Sequence, residues 1–288
     1  MNTSHAVLDY AFNQRAVLAG VMIGFLNGYL GGYVVLRRAA LFAGALSHTL
    51  FPGIALGALV AGLNPLSALI GASVTALVVG LGAQGMASNS RLDHNATLAI
   101  LFTAAFGAGL LVLQRIGLYV RIEDYLFGNI LGLSDFDLWF SFGTGLVTIV
   151  LLLALQRPLL LFLFSREVAE TQGVRVNALD YMLAALLVFT MITSLQAVGA
   201  MLTLGLLVAP AATLYLFVES PRVIMWGGGV MGAAVSVLAV FLSNWLNVQT
   251  GAAIVLLLGL VFVVGFVVSP QYGLVAKIRG RMRPAHGR

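Results

Sequence analysis

The sequence predicts an all-α fold, a polytopic bundle of membrane-spanning helices. Three observations predict it. Of 288 residues, 60% are hydrophobic and only 9% are charged, whereas a soluble domain carries about 25% charged residues. The apolar residues fall into runs close to the roughly 20 residues that a helix needs to cross a bilayer. The charges collect between those runs and in the C-terminal tail. In lipid a chain must bond its own backbone polar groups, and a continuous apolar run does so as a helix.

Nine runs have spanning length: about 16–36, 39–62, 65–87, 96–114, 136–156, 178–198, 200–218, 223–245 and 251–270. Two adjacent pairs are tightly joined, at Asn64–Pro65 and near Gly199, so eight or ten spans also fit. The expected layout is an outer tail over 1–15, a transmembrane domain over 16–270 and a basic cytoplasmic tail over 271–288. Residues 1–15 are polar, carry Asp9 and lack the basic start and small-residue cleavage site of a signal peptide. The first run is therefore expected to stay in the mature protein. With no cysteine, disulfides and thiolate metal sites are excluded. The net charge of +5 comes from the tail and short loops, and points to a membrane rather than to nucleic acid.

Charge also predicts orientation. With the Arg37–Arg38 turn inside and the runs alternating, the inner side receives Arg37, Arg38, Arg91, Arg157, Arg166, Arg175, Arg222, Lys277, Arg279, Arg281, Arg283 and Arg288. The outer side receives Arg15, Arg115 and Arg121. The asymmetry predicts an outer N-terminus and an inner C-terminus.

The first run carries Gly20, Gly24, Gly28 and Gly32 at i+4 spacing. They make one helix face without side chains, which lets another helix, or a second copy, approach closely. Gly53 and Gly57, then Gly228 and Gly232, repeat the pattern. Generic small-residue packing accounts for it as well as a transporter core does.

The second run contains Ala43–Gly53, AGALSHTLFPG. His48 lies about ten residues from the arginine pair, or about 15 Å at roughly 1.5 Å per residue, near mid-bilayer. An ionisable group at that depth marks a candidate functional site. Pro52 has no N–H and leaves the His48 carbonyl without its helical donor. A buried histidine bonded to a neighbouring helix is the other reading of the same residues.

Gly117–Ser134 reads as a short amphipathic or re-entrant outer piece. Its charges, Glu123 and Asp124, are either a solvated surface or a meeting point for cations or a partner. Gln156–Asn177 is expected to be the largest inner loop. Within it Ser165 is a helix N-cap, Glu167 and Glu170 occupy the first turns, and Gly173 ends the helix. A polar helix of this definition is either a connector or a docking element. In LLVAPAAT, residues 206–213, Pro210 frees the carbonyl of Leu206 and bends the helix; such breaks line substrate paths or are structural kinks.

Some chemistry is absent. There is no GxxxxGK[ST] phosphate loop, and the only lysine is Lys277. No HExxH, GxSxG or buried carboxylate pair appears. The ten acidic residues lie in loops, tails or helix ends. Neither an intrinsic ATPase nor a carboxylate proton relay is visible in these signals, and no enzyme activity is expected.

Four segments, in order, carry a family resemblance: VVLRRAALFAGALSHTLFPGIALG at 34–57, YLFGNILGLS at 125–134, VAETQGVRVNALDY at 168–181 and LQAVGAMLTLGLLVAPAAT at 195–213. Over about 16–275 the chain resembles the membrane permeases of the manganese/zinc/iron ABC importers. The resemblance implies a two-fold permease dimer in a bacterial inner membrane, with two separate ATPase subunits at its cytoplasmic face. It also implies an extracytoplasmic metal-binding protein as donor. The helix at about 165–174, with Arg166, Glu167, Glu170, Gln172 and Gly173, matches the family's coupling helix. His48 matches its metal-binding histidine, with Ser47, Pro52, Leu206 and Pro210 as candidates to line the path. No cofactor is bound permanently; the metal is cargo, and ATP is used by the partner.

The chain departs from the family at the acidic positions that usually accompany the histidine. Family members usually carry Asp four residues before the histidine, on the same helix face. Here that residue is Gly44, and the usual second acidic pair is His94–Asn95. Losing carboxylates weakens a site for hard manganese more than one for zinc, which accepts imidazole. Zinc is therefore the expected cargo, with manganese and iron as the other candidates. A metal-chelate permease of the same fold is the alternative, and an ATP-independent carrier a further one.

Overall fold

A computed structural model describes residues 11–62, 65–91, 94–116, 135–270 and 273. Among the described residues there are eleven helices and no strand. They are α1 (Ala11–Leu36), α2 (Ala40–Ala61), α3 (Pro65–Ser88), α4 (His94–Ile116), α5 (Asp135–Ala154), α6 (Gln156–Phe164), α7 (Arg166–Thr171), α8 (Val176–Val198), α9 (Ala200–Tyr215), α10 (Pro221–Leu246) and α11 (Thr250–Val268).

Every apolar run of the sequence falls on a helix, yet among the described residues fewer than nine helices have the length of a full span. Seven of these helices, α1 to α4, α8, α10 and α11, are long and apolar enough to cross a membrane. The fifth run becomes α5 and then bends by 69° into α6, which makes an eighth span if the pair counts as one. Pro158 has no N–H to offer the Ala154 carbonyl, which loosens the first turn of α6 and permits the bend. Residues 156–164, expected to lie in the inner loop, are thus an apolar helix that buries Leu159 and Phe162. The seventh run yields only the 16 residues of α9. Gly199 parts it from α8: its φ of +82° is open to glycine and strained for other residues. Pro221 opens α10 soon after the other end.

The chain divides into two compact units. Leu36–Leu204 forms one of them. In it α2 packs against α3 and α4, and α8 packs against α3 and α5. Contact between α2 and α3 is backbone to backbone. A Cβ added at Gly53 would stand 2.5 Å from the Gly71 carbonyl oxygen and 2.6 Å from Ala72 Cα. Lipid tails are as apolar as the side chains, so close van der Waals contact holds such helices together.

The other unit comprises 1–35 and 205–288. Here the glycine ladder of α1 lies along α10. A Cβ at Gly24 would meet the Gly232 carbonyl oxygen at 2.6 Å, one at Gly28 the Gly228 carbonyl carbon at 2.6 Å, and one at Gly32 Met225 Cγ at 2.6 Å. Gly20 is looser, 3.3 Å from Ser236 Cβ by the same measure. Tyr29, Leu30 and Tyr33 are fully buried beside this seam. Trp226 closes it with its ring 5.3 Å from that of Tyr29, edge to face.

The segment Gly117–Ser134, with Glu123 and Asp124, and the basic tail lie outside the described residues apart from Gly273.

Candidate functional site

His48 is the ninth residue of the 22-residue α2, so the helix carries its imidazole close to mid-length. The side chain is half-buried, and its ring centre stands 6.0 Å from that of Phe102 on α4. Phe106 extends this aromatic contact, packing on Phe102 and on Phe51 of α2. One turn before His48, a Cβ at Gly44 would meet only Leu204 Cδ2, at 3.7 Å, an ordinary contact. The position expected to carry a carboxylate therefore has room for one to begin.

Ser47 and Pro52 are both buried. The Ser47 hydroxyl donates to the carbonyls of Ala43 at 3.1 Å and Gly44 at 2.9 Å, so its donor is used within its own helix. Pro52 sits inside α2, where its missing N–H leaves the His48 carbonyl without an i+4 donor. Leu206 and Pro210 are buried in the other unit, on α9. His94 opens α4. Among the described residues no three His, Cys, Asp or Glu side chains come together as a metal cluster. Imidazole at His48, a freed carbonyl and water are what α2 can offer a cation on its own.

α7 is built as its residues dictate. The Ser165 hydroxyl accepts from the Val168 N–H at 3.3 Å, capping the first turn. Glu167 lies beside that N-terminus, where a negative charge complements the helix dipole. Gly173, at φ +79°, turns the chain out of the helix, and its N–H reaches the Glu170 carbonyl at 3.0 Å. Ala169 faces inward, while Arg166, Glu167, Glu170 and Gln172 are exposed. Arg166 pairs with Glu170 at 3.2 Å and donates to Asn177 Oδ1 at 2.6 Å, which ties α7 to the start of α8. Beside it an open depression of about 580 Å³ is lined by Glu170, Gly173, Arg175 and Asn177 among others.

Sequence reasoning passed over Asp180. Five residues into α8, it is 4% exposed. Arg37 donates to its Oδ1 and the Gln84 amide to its Oδ2, the latter at 2.6 Å. Its position near the end of an apolar run resembled an ordinary helix-end charge. The arginine and the amide that answer it are 143 and 96 residues away in sequence, so only the opposed charges themselves could have hinted at the group.

Comparison with known proteins places these features. The family model described as the ABC 3 transport family matches residues 9–269. The manganese transport system membrane protein MntC of Halalkalibacterium halodurans is 32% identical over 272 residues, covering 94% of this chain and 92% of that protein. A probable iron transport system membrane protein of Haemophilus influenzae is 31% identical over 269 residues, 93% of this chain and 94% of that one. Among solved structures, PsaBC from Streptococcus pneumoniae in complex with Fab superposes with a TM-score of 0.81 at 28% identity, covering 96% of this chain and 98% of that chain. With its span-length apolar helices and a family match that runs nearly end to end, this chain is a multi-pass membrane permease and belongs to the ABC 3 transport family.

Proposed function

We propose that this chain is the permease subunit of an ATP-driven importer that moves a divalent transition-metal ion across a bacterial inner membrane by alternating access. The observation that carries the reading is the family match over residues 9–269, which spans both His48 and α7. Two copies would form the translocation path, and two ATPase subunits would dock on α7 from the cytoplasm. An extracytoplasmic metal-binding protein would deliver the ion from outside. The N-terminus would lie outside and the C-terminus inside, the sidedness that the basic residues favour when the 16-residue α9 also crosses the bilayer.

His48 is the residue assigned to the ion, with Ser47 and Pro52 on α2, and Leu206 and Pro210 on α9, as the pore-lining candidates. Manganese is the first cargo to examine, since the relatives compared are named for manganese and iron. The preference for zinc rests on Gly44 and His94–Asn95, where the usual carboxylates are missing. The test is uptake of radiolabelled manganese and zinc into cells with and without the chain. Metal accumulation that does not depend on the chain refutes the reading. Uptake into liposomes that needs neither ATP nor an ATPase partner favours a carrier instead.

A second reading keeps the fold and the ATPase but changes the cargo to a metal chelate. Gly44 favours it, since the helix lacks the carboxylate that would share a bare ion with His48. Competition by an excess of free metal separates the two: it abolishes uptake of labelled ion and leaves uptake of a pre-formed chelate intact.

A further inference from the structure

The buried carboxylate of Asp180 joins pieces of chain that are far apart in sequence. Oδ1 accepts from the Arg37 guanidinium, in the turn that separates α1 from α2. Oδ2 accepts from Gln84 Nε2 of α3 at 2.6 Å, and Arg166 Nη1 of α7 stands 3.7 Å from the same oxygen. Arg37 also lies over the Phe162 ring of α6, 4.8 Å from its centre. One carboxylate on α8 is therefore shared by the entry to α2, by α3 and by α7. All of these residues belong to the Leu36–Leu204 unit.

A charge this deeply buried is held only by its partners. Each of its two oxygens has a donor of its own, so the group has a single low-energy arrangement. Arg37 precedes the first residue of α2 by three positions, and His48 follows that residue by eight on the same helix. Between Asp180 and His48 the connection is the short turn Arg37–Ala39 and about 12 Å of α-helix. On the other side Arg166 is the first residue of α7.

We propose that Asp180 is a positioning residue that ties α7 to the start of α2, so that displacement of α7 is delivered to the helix bearing His48. The relay rests on the reading of α7 as the docking element; the tie itself does not. Coupling of this kind needs a contiguous element that moves as a body. Here that element is α7, Arg166, Asp180, Arg37 and α2. Without the carboxylate Arg37 and Arg166 lose the charge they share, and the side-chain polar tie of α7 to α8 is left to Arg166 and Asn177.

The chain has no cysteine, which makes a direct measurement practical. Cysteines at exposed Leu41 on α2 and exposed Thr171 on α7 carry spin labels, and the distance distribution between them is read in the full chain. A control pair at exposed Leu59 on α2 and Ile70 on α3 reports the bundle. Asp180→Asn is expected to broaden the Leu41–Thr171 distribution about twofold, leave the control pair unchanged, and be rescued by Asp180→Glu. An unchanged Leu41–Thr171 distribution overturns the tie. Broadening of both pairs overturns it too, since the residue then merely supports the fold. The docking reading is tested apart, with Glu167→Arg on the exposed side of α7. Release of the ATPase subunit from the purified assembly supports the relay, whereas retention overturns the relay and the docking reading together, whatever the distances show.

Discussion

Pro52 of α2 rests directly on Gly109 of α4. A Cβ at Gly109 would stand 2.5 Å from Pro52 Cα, so the pyrrolidine occupies the space that a side chain would need. The residue that frees the His48 carbonyl is thereby fixed against a second helix. Gly109→Ala gains up to about 1 kcal/mol of helix propensity but must displace a backbone atom, and overpacking of that kind costs about 1–3 kcal/mol. The packing cost wins because Pro52 has no rotamer to yield. The expected outcome is a lower thermal midpoint in detergent together with reduced uptake.

The α1–α10 seam makes a similar prediction with an internal control. Gly28 faces Gly228 at backbone contact, whereas a Cβ at Gly259 on α11 meets nothing within 4 Å. Gly28→Ala is expected to destabilise the chain by about 1–3 kcal/mol, and Gly259→Ala to leave it unchanged or slightly firmer. Thermal unfolding of the two variants side by side checks the difference.

Gly44 and His48 lie one turn apart on one face of α2, and the Cβ position at Gly44 is open. Gly44→Asp is expected to improve manganese affinity, read from the concentration dependence of uptake, by about tenfold, and zinc affinity by less. His48→Ala is expected to lower uptake by about tenfold or more, and to cancel the gain in the double variant. Unchanged uptake in His48→Ala removes the imidazole as a ligand.

The Ser165 cap is local and open to measurement by hydrogen exchange. Ser165→Ala removes the acceptor for the Val168 N–H, at a cost of about 1 kcal/mol. Faster exchange over residues 166–171 and weaker retention of an ATPase subunit are expected, with α8 unaffected.

Short-range signals in the sequence proved the most informative. The apolar runs, the Ser165 cap and the turn at Gly173 each depend on residues within a few positions of one another, and each lies where local chemistry places it. The number of spans was less legible. Length and hydropathy could not show that α9 stops at Tyr215 after 16 residues, or that α5 bends by 69° into α6. Those outcomes depend on how the following segment packs. The His48 region was legible as a candidate because a polar residue stood in an apolar run, but its aromatic neighbour Phe102 lies on another helix.

By itself the sequence determined that the chain is helical, lives in lipid and lacks the residues to bind ATP through a phosphate loop, because composition and run length are additive along the chain. The tertiary structure decided which glycine face meets which helix and which charges share Asp180. Arg37 and Asp180 are 143 residues apart. Contacts between such distant positions arise only when folded helices are brought side by side, and a one-dimensional pattern holds no record of that geometry.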